Sequence, residues 1–183
     1  MAGEIVIGKD ELIRKFRAMS EALQGNSLAA VAQVGGLVIE NASRDNVKAQ
    51  GLIRTRTLSR SIHQQVVEQS AERAAVEIGT NLEYAAIHEF GGTIRPKNSK
   101  YLAIPVGTYK DSPRKHPHLK LRKTSRGNLV LVSPSGQVQY ALKSSVEIPA
   151  RPYLRPAFDE TREEAVSEMG RAFAKLVTKA SEA

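Results

Sequence analysis

A proline-rich segment near the C-terminus constrains the fold of this chain more than any other part of it. Residues 148–159 read Ile-Pro-Ala-Arg-Pro-Tyr-Leu-Arg-Pro-Ala-Phe-Asp. Each X-Pro step moves the preceding residue out of the α region, which predicts an extended strap that becomes helical only at Pro156. The apolar side chains of Tyr153, Leu154 and Phe158 are predicted to anchor this strap. The pattern indicates a device that fixes one surface against another, and nothing in it is typical of catalysis.

Apolar residues recur at helical spacing in three segments, 10–24, 27–48 and 157–179. Asp10 and Ser27 are the predicted N-caps of the first two helices. The second helix contains the pair Gly35-Gly36, and each glycine costs about 1 kcal/mol relative to alanine. This pair therefore predicts a close helix crossing, at which a side chain would not fit.

Two β-strands are predicted at 62–68 and 73–79, where apolar and polar residues alternate. A short helical or turn segment follows over 81–90 and ends at Gly91-Gly92. The composition then changes over residues 93–146, which contain a polar, proline-rich stretch at 107–118 that is too hydrophilic to be buried.

Within residues 93–146, a strand is predicted over 101–106, and Pro105 favours an edge position for it. Residues 129–132 and 138–142 flank a Ser-Pro-Ser-Gly turn and predict a hairpin. The sequence as a whole predicts an α+β fold in one domain, residues 1–183, with helices packed on one face of an antiparallel or mixed sheet. Residues 93–146 are predicted to be a projecting basic loop and hairpin insertion within that domain.

The net charge of +8 comes from one part of the chain. Residues 91–126 have ten Lys and Arg against one Asp, which gives +9, whereas residues 1–90 sum to −1 and 127–183 to 0. The cations are Arg95, Lys97, Lys100, Lys110, Arg114, Lys115, Lys120, Arg122, Lys123 and Arg126. Three alternatives are open for these cations. They could contact DNA phosphates independently of the base sequence, they could dock on an acidic partner protein, or they could form a solvated loop.

Several classes of function lack their signature in this sequence. The chain has no cysteine, which excludes disulfides and thiolate metal sites. It has no apolar run of membrane-spanning length, and its start does not resemble a signal peptide. No nucleophile elbow or phosphate-binding glycine loop occurs, and His116-Pro117-His118 has no third ligand close in sequence except Asp111. We therefore predict no catalytic residue, no cofactor and no metal.

The order of motifs resembles that of a known family. Arg56 to Ile62 is similar to its loop-to-strand signature, Tyr84 to Gly92 to its central motif, and residues 148–157 to its C-terminal motif. The family is the small neck proteins of tailed bacteriophages, described as tail-completion, tail-to-head joining or minor tail proteins. The residues that carry the motifs and the strap are Glu89, Phe90, Gly91, Gly92, Arg151, Pro152, Tyr153, Leu154 and Pro156.

The resemblance implies a structural virion protein without catalysis, which forms a ring, commonly of six copies, around the DNA channel. Such a ring completes the tail or joins it to the head connector. Its partners would be tail-tube and connector proteins. The resemblance also allows non-specific contact with genomic DNA and implies no contact with a membrane. It would be located in the virion neck, and in the host cytoplasm during assembly. The alternative is a freestanding basic nucleic-acid-binding protein. Because Glu89 and Arg151 are charged residues among apolar neighbours, we also predict that they pair, within a subunit or between subunits.

Overall fold

The structure, a computed structural model, describes residues 9–22, 26–70 and 72–182. These residues form two compact units. The first unit contains the described residues up to Glu89 together with those from Arg151 onward, and the second unit is Phe90–Ala150. The second unit contains the predicted insertion 93–146.

The first unit consists of five helices and one β-hairpin. The helices are α1 (Lys9–Ala22), α2 (Asn26–Ala49), α3 (Thr57–Ser61), α4 (Ala85–Phe90, of which Phe90 belongs to the second unit) and α5 (Leu154–Glu182). The strands are β1 (His63–Gln69) and β2 (Ala74–Gly79), which pair antiparallel with His63 opposite Gly79. Helix α2 packs on this hairpin and against α5, and α1 packs against α5. The predicted end of the first helix, at residues 23–25, lies outside the described residues.

The two glycines inside α2 lie at close contacts, as predicted. A Cβ at position 35 would lie 2.5 Å from Met169 Sδ and 3.2 Å from the Ala165 carbonyl oxygen, both on α5. A Cβ at position 36 would contact Gln64 and Val76 of the hairpin. The glycines therefore let α2 approach a helix on one side and a sheet on the other, which offsets their low helix propensity.

The second unit is made of antiparallel strands. They are β3 (Gly92–Ile94), β4 (Leu102–Pro105), β5 (Lys120–Lys123), β6 (Leu129–Val132), β7 (Val138–Lys143) and β8 (Val146–Ile148). Strands β4, β7, β6 and β5 form one sheet in that order, and β3 pairs with β8. The hairpin β6–β7 and the edge position of β4 confirm the predictions made from the Ser-Pro-Ser-Gly turn and from Pro105.

The sequence missed several features of this α+β architecture, among them helix α3, which lies where a loop leading into a strand was expected. The basic residues 120–123 were expected in the loop and hairpin insertion, but they form an edge strand, β5. Strands β3 and β8, each three residues long, were not predicted. Helix α5 begins at Leu154 instead of 157, so Pro156 lies within its first turn and does not start it. A proline is tolerated there because the N–H groups of the first turn have no partner within the helix.

Candidate functional site

Glu89, in the central motif, is bound to the first turn of α5. Its Oε2 accepts hydrogen bonds from the backbone N–H of Tyr153 at 2.7 Å and of Leu154 at 3.0 Å, and its Oε1 accepts one from Arg155 N–H at 3.0 Å. The side chain is 6% exposed. The N-terminal N–H groups of a helix lack partners within it and carry partial positive charge, so a buried carboxylate satisfies and stabilises them. We call this arrangement the Glu89 clamp.

The strap that precedes α5 is held by further backbone contacts. The Arg151 N–H donates to the His88 carbonyl at 2.7 Å. From α2, Asn46 Nδ2 donates to the Tyr153 carbonyl at 3.2 Å, and Gln50 Nε2 donates to the Pro152 carbonyl. The strap is thus bonded to both α4 and α2 within the first unit.

Tyr153 is the apolar anchor of the strap. It is 1% exposed and belongs to the core cluster formed with Val47, Leu58, Ile62 and Ala85. Burial, together with the nearby Glu89 carboxylate, raises the pKa of Tyr153 to about 12. The folded state therefore favours the protonated hydroxyl up to a higher pH than an exposed tyrosine would.

Two expectations about these motifs are wrong for the single chain. Glu89 and Arg151 do not form an ion pair among the described residues, because the Glu89 carboxylate is bonded to backbone N–H groups and the exposed Arg151 side chain reaches the Gln50 carbonyl at 3.5 Å. Phe158, which was expected to anchor the strap, is 53% exposed and is not buried in the core, and Phe90 of the central motif is 76% exposed.

The glycine pair that follows Glu89 has a steric role. Gly91 has φ +68°, in the left-handed region, and a Cβ there would lie 2.7 Å from Ala150 N and 3.0 Å from the Ile148 carbonyl oxygen. Gly92 begins β3 and lies opposite Ile148 of β8. Only glycine fits the backbone approach at position 91 without strain.

The structure brings all ten predicted cations onto the second unit, where each is exposed. Arg95, Lys97 and Lys100 lie between β3 and β4. The segment from β4 to β5 contains Lys110 and, in a 3-10 turn at Pro113–Lys115, Arg114 and Lys115. Strand β5 carries Lys120, Arg122 and Lys123, and Arg126 lies in the turn after it. Asp111, 3.9 Å from Lys115, and Glu147 are the only carboxylate residues of this unit.

Asp111 is engaged by a cluster of aromatic residues. Its Oδ1 lies 2.6 Å from His116 Nε2, and this hydrogen bond lowers the pKa of Asp111 below its usual value of 3.8. The Tyr109 ring stacks on His116 at a centroid distance of 4.0 Å, and the Tyr109 hydroxyl lies 3.2 Å from His118 Nε2. The described residues include no group of three or more His, Cys, Asp or Glu that could hold a metal. His116 thus orders the loop around Tyr109.

Comparison with known proteins identifies a family. The sequence model of the phage virion morphogenesis family matches residues 9–174, most of the chain. No curated protein and no solved structure matches the chain. In the part of the chain that the structure describes, no helix is both long and apolar enough to cross a bilayer.

Proposed function

Because the chain belongs to the phage virion morphogenesis family, we propose that it is a structural protein of the head–tail neck. In this role it forms a ring, of about six copies by resemblance to neck proteins, around the DNA channel. The ring completes the tail and joins it to the head connector, and its partners are tail-tube and connector proteins. It is located in the virion neck and, during assembly, in the host cytoplasm.

The Glu89 clamp is the observation that carries this proposal. A catalytic carboxylate must be reached by the substrate, whereas Glu89 is 6% exposed and its two oxygens accept hydrogen bonds from three backbone N–H groups. The central and C-terminal motifs are thereby used to tie α4 to the start of α5. A motif that serves rigidity favours an assembly component without catalysis.

The basic second unit supports the same role in two ways, which remain alternatives. The ten cations of residues 91–126 can face DNA in the channel, where a contact with phosphate that ignores sequence is sufficient, or they can dock on an acidic surface of a neighbouring ring. A freestanding nucleic-acid-binding protein is the competing function. Against it, these ten cations lie on β5, turns and loops, and not on a helix that could enter a major groove.

The proposal is tested with a phage whose copy of this gene carries a nonsense mutation. Infection of a non-suppressing host is expected to yield DNA-filled heads and separate tails, counted by electron microscopy. Addition of the purified protein to that lysate should restore joined, infectious particles. The matched control is the same phage on a suppressing host. Normal joined particles in the absence of the protein would rule out the neck role.

A further inference from the structure

The first unit has a group of cations of its own, distinct from the ten of the second unit. Residues 46–67 contain no Asp or Glu and four cations, which are Lys48, Arg54, Arg56 and Arg60. The near-neutral sum over residues 1–90 conceals this segment, because carboxylates elsewhere in that range offset it. Lys48 lies 2.6 Å from Asp45, whereas the three arginines are exposed and have no ion-pair partner in the part of the chain that the structure describes. Their positive charge is therefore available to an anion.

Three of these cations line a cavity of about 390 Å³ that is formed by the end of α2, by α3 and by the loop between them. Its lining residues are Lys48, Ile53, Arg56, Ser59 and Arg60, all of the first unit. Ile53, which is 40% exposed, gives the cavity an apolar wall. The other four lining residues carry hydrogen-bond donors on their side chains, so the cavity suits a ligand that is rich in acceptor oxygens.

Ser59 adds a hydroxyl that has no partner within the protein. The residue is 8% exposed, and its side chain makes no hydrogen bond to any other residue that the structure describes. The neighbouring Ser61, by contrast, donates its hydroxyl to the Leu58 carbonyl at 2.8 Å. Buried polar groups in folded proteins are nearly always hydrogen-bonded. Because Ser59 lines the cavity, an anion bound there would supply the missing acceptor.

The backbone at Arg56 is strained. Its φ is +58°, in the left-handed region, which glycine adopts freely and a residue with a Cβ does not. Strained backbone of this kind is concentrated at ligand-binding and catalytic sites. Glycine would meet the backbone requirement at position 56 without strain, so what arginine adds there is its guanidinium, at the lining of the cavity.

We propose that this cavity binds a phosphate group of the DNA backbone. Arg56 and Arg60 donate to the phosphate oxygens together with the hydroxyl of Ser59, and Lys48 adds positive charge. Arginine, lysine and serine are among the side chains that contact DNA phosphates. One arginine is sufficient for both oxygens of a carboxylate, and a protein partner would need a larger apolar anchor site than Ile53 provides. The inference rests on the proposed ring around DNA and assigns a DNA contact to the first unit.

The affinity of purified full-length protein for a labelled DNA duplex, measured by fluorescence anisotropy between about 50 and 200 mM salt, tests this site. Arg60→Gln should weaken binding at least about fivefold and should reduce the slope of log Kd against log salt by about 0.9, the value for one lost phosphate contact. Arg73→Gln is the matched control, because Arg73 is an exposed arginine of the same unit that does not line the cavity and lies 3.2 Å from Glu68. It changes the net charge equally and should leave the slope unchanged.

Arg56→Gly separates binding from folding. It removes the guanidinium and relieves the backbone, so it should weaken duplex binding as Arg60→Gln does while the melting temperature does not fall. A lower melting temperature with unchanged duplex binding would give Arg56 a purely structural role and overturn the site.

The same variants exclude other occupants of the cavity. Equal affinities and slopes for Arg60→Gln and Arg73→Gln, or no duplex binding by the unmodified protein, would overturn the proposal. A poly-glutamate peptide that binds more tightly than the duplex and is the ligand lost in Arg60→Gln would assign the cavity to an acidic protein. Inorganic phosphate bound there in preference to the duplex would assign it to a small phosphorylated molecule. Each of these results leaves the neck role intact, since that role is tested by particle assembly.

Discussion

Glu89 Oε2 accepts a hydrogen bond from the Tyr153 N–H at 2.7 Å, although the two residues are 64 positions apart in the chain. This contact joins the central motif to the C-terminal motif. It also explains why α5 begins at Leu154, before the last proline of the strap, since the carboxylate satisfies N–H groups that would otherwise be buried without a partner.

Replacement of Glu89 should destabilise the first unit. Glu89→Ala leaves three backbone N–H groups without their acceptor and should lower the free energy of unfolding by about 3 kcal/mol, since hydrogen bonds to a charged group are among the stronger ones. Glu89→Gln, which retains one acceptor oxygen, should lose less. Urea denaturation measures both values, and Glu83→Ala, an exposed carboxylate nearby, is the control. Equal losses for Glu83→Ala and Glu89→Ala would contradict a role for the clamp in stability.

The raised pKa of Tyr153 predicts that the free energy of unfolding decreases at alkaline pH. Its pKa is raised from 10.0 to about 12, so the folded state favours the protonated hydroxyl. The resulting stabilisation is complete below pH 10 and is lost as the pH rises towards 12. Tyr153→Phe should flatten this part of the stability curve, measured by denaturation at several pH values. Tyr101→Phe, in the second unit and not among the groups that raise the pKa of Tyr153, should leave the curve unchanged.

The lowered pKa of Asp111 predicts that the loop around Tyr109 changes its structure at acidic pH. Its pKa is lowered by the hydrogen bond with His116, so its contribution is present above the unfolded value of 3.8 and is lost as the pH falls through the lower folded value. The Tyr109 ring resonances, which report stacking on His116, should therefore change at pH values below 3.8. Asp111→Asn should show the disordered resonances already at neutral pH. Native resonances in this variant would show that the hydrogen bond between Asp111 and His116 does not order the loop.

The two helical glycines Gly35 and Gly170 should respond in opposite directions to alanine. Gly170 has open space where a Cβ would be, so Gly170→Ala should stabilise the protein by up to about 1 kcal/mol through helix propensity. Gly35→Ala places a methyl group against Met169 and the Ala165 carbonyl and should destabilise by roughly 1 kcal/mol or more. The melting temperatures of the two variants measure the difference. A stabilised Gly35→Ala variant would show that α2 and α5 are not in close contact there.

Reversal of charge on the second unit should distinguish its possible partners. A phage with glutamate at the positions of Lys115, Lys120, Arg122 and Lys123 should release or fail to retain DNA if these cations face the channel. If they dock on a neighbouring ring, the same phage should accumulate DNA-filled heads and free tails. Electron microscopy and nuclease protection measure both outcomes. Fully infectious particles would show that the cations only interact with solvent.

Local patterns were sufficient to determine most elements of this protein. Apolar spacing predicted α1, α2, α5 and the β1–β2 hairpin, the Ser-Pro-Ser-Gly turn predicted β6 and β7, and Gly35-Gly36 predicted a close helix contact. These predictions were correct because the spacing of apolar residues, and the conformational preferences of proline and glycine, determine the backbone within a few residues. The concentration of positive charge in residues 91–126 was likewise visible from the sequence alone.

Contacts between distant residues were decided only by the tertiary structure. The partner of Glu89 could not be predicted, because an arginine in a neighbouring motif suggests an ion pair and nothing local reveals a helix N-terminus 64 residues away. The short strands β3 and β8 form because Gly92 and Ile148 are brought together. The exposure of Phe90 and Phe158 also depends on tertiary packing, because the sequence shows that a side chain is apolar but does not show which other residues pack against it.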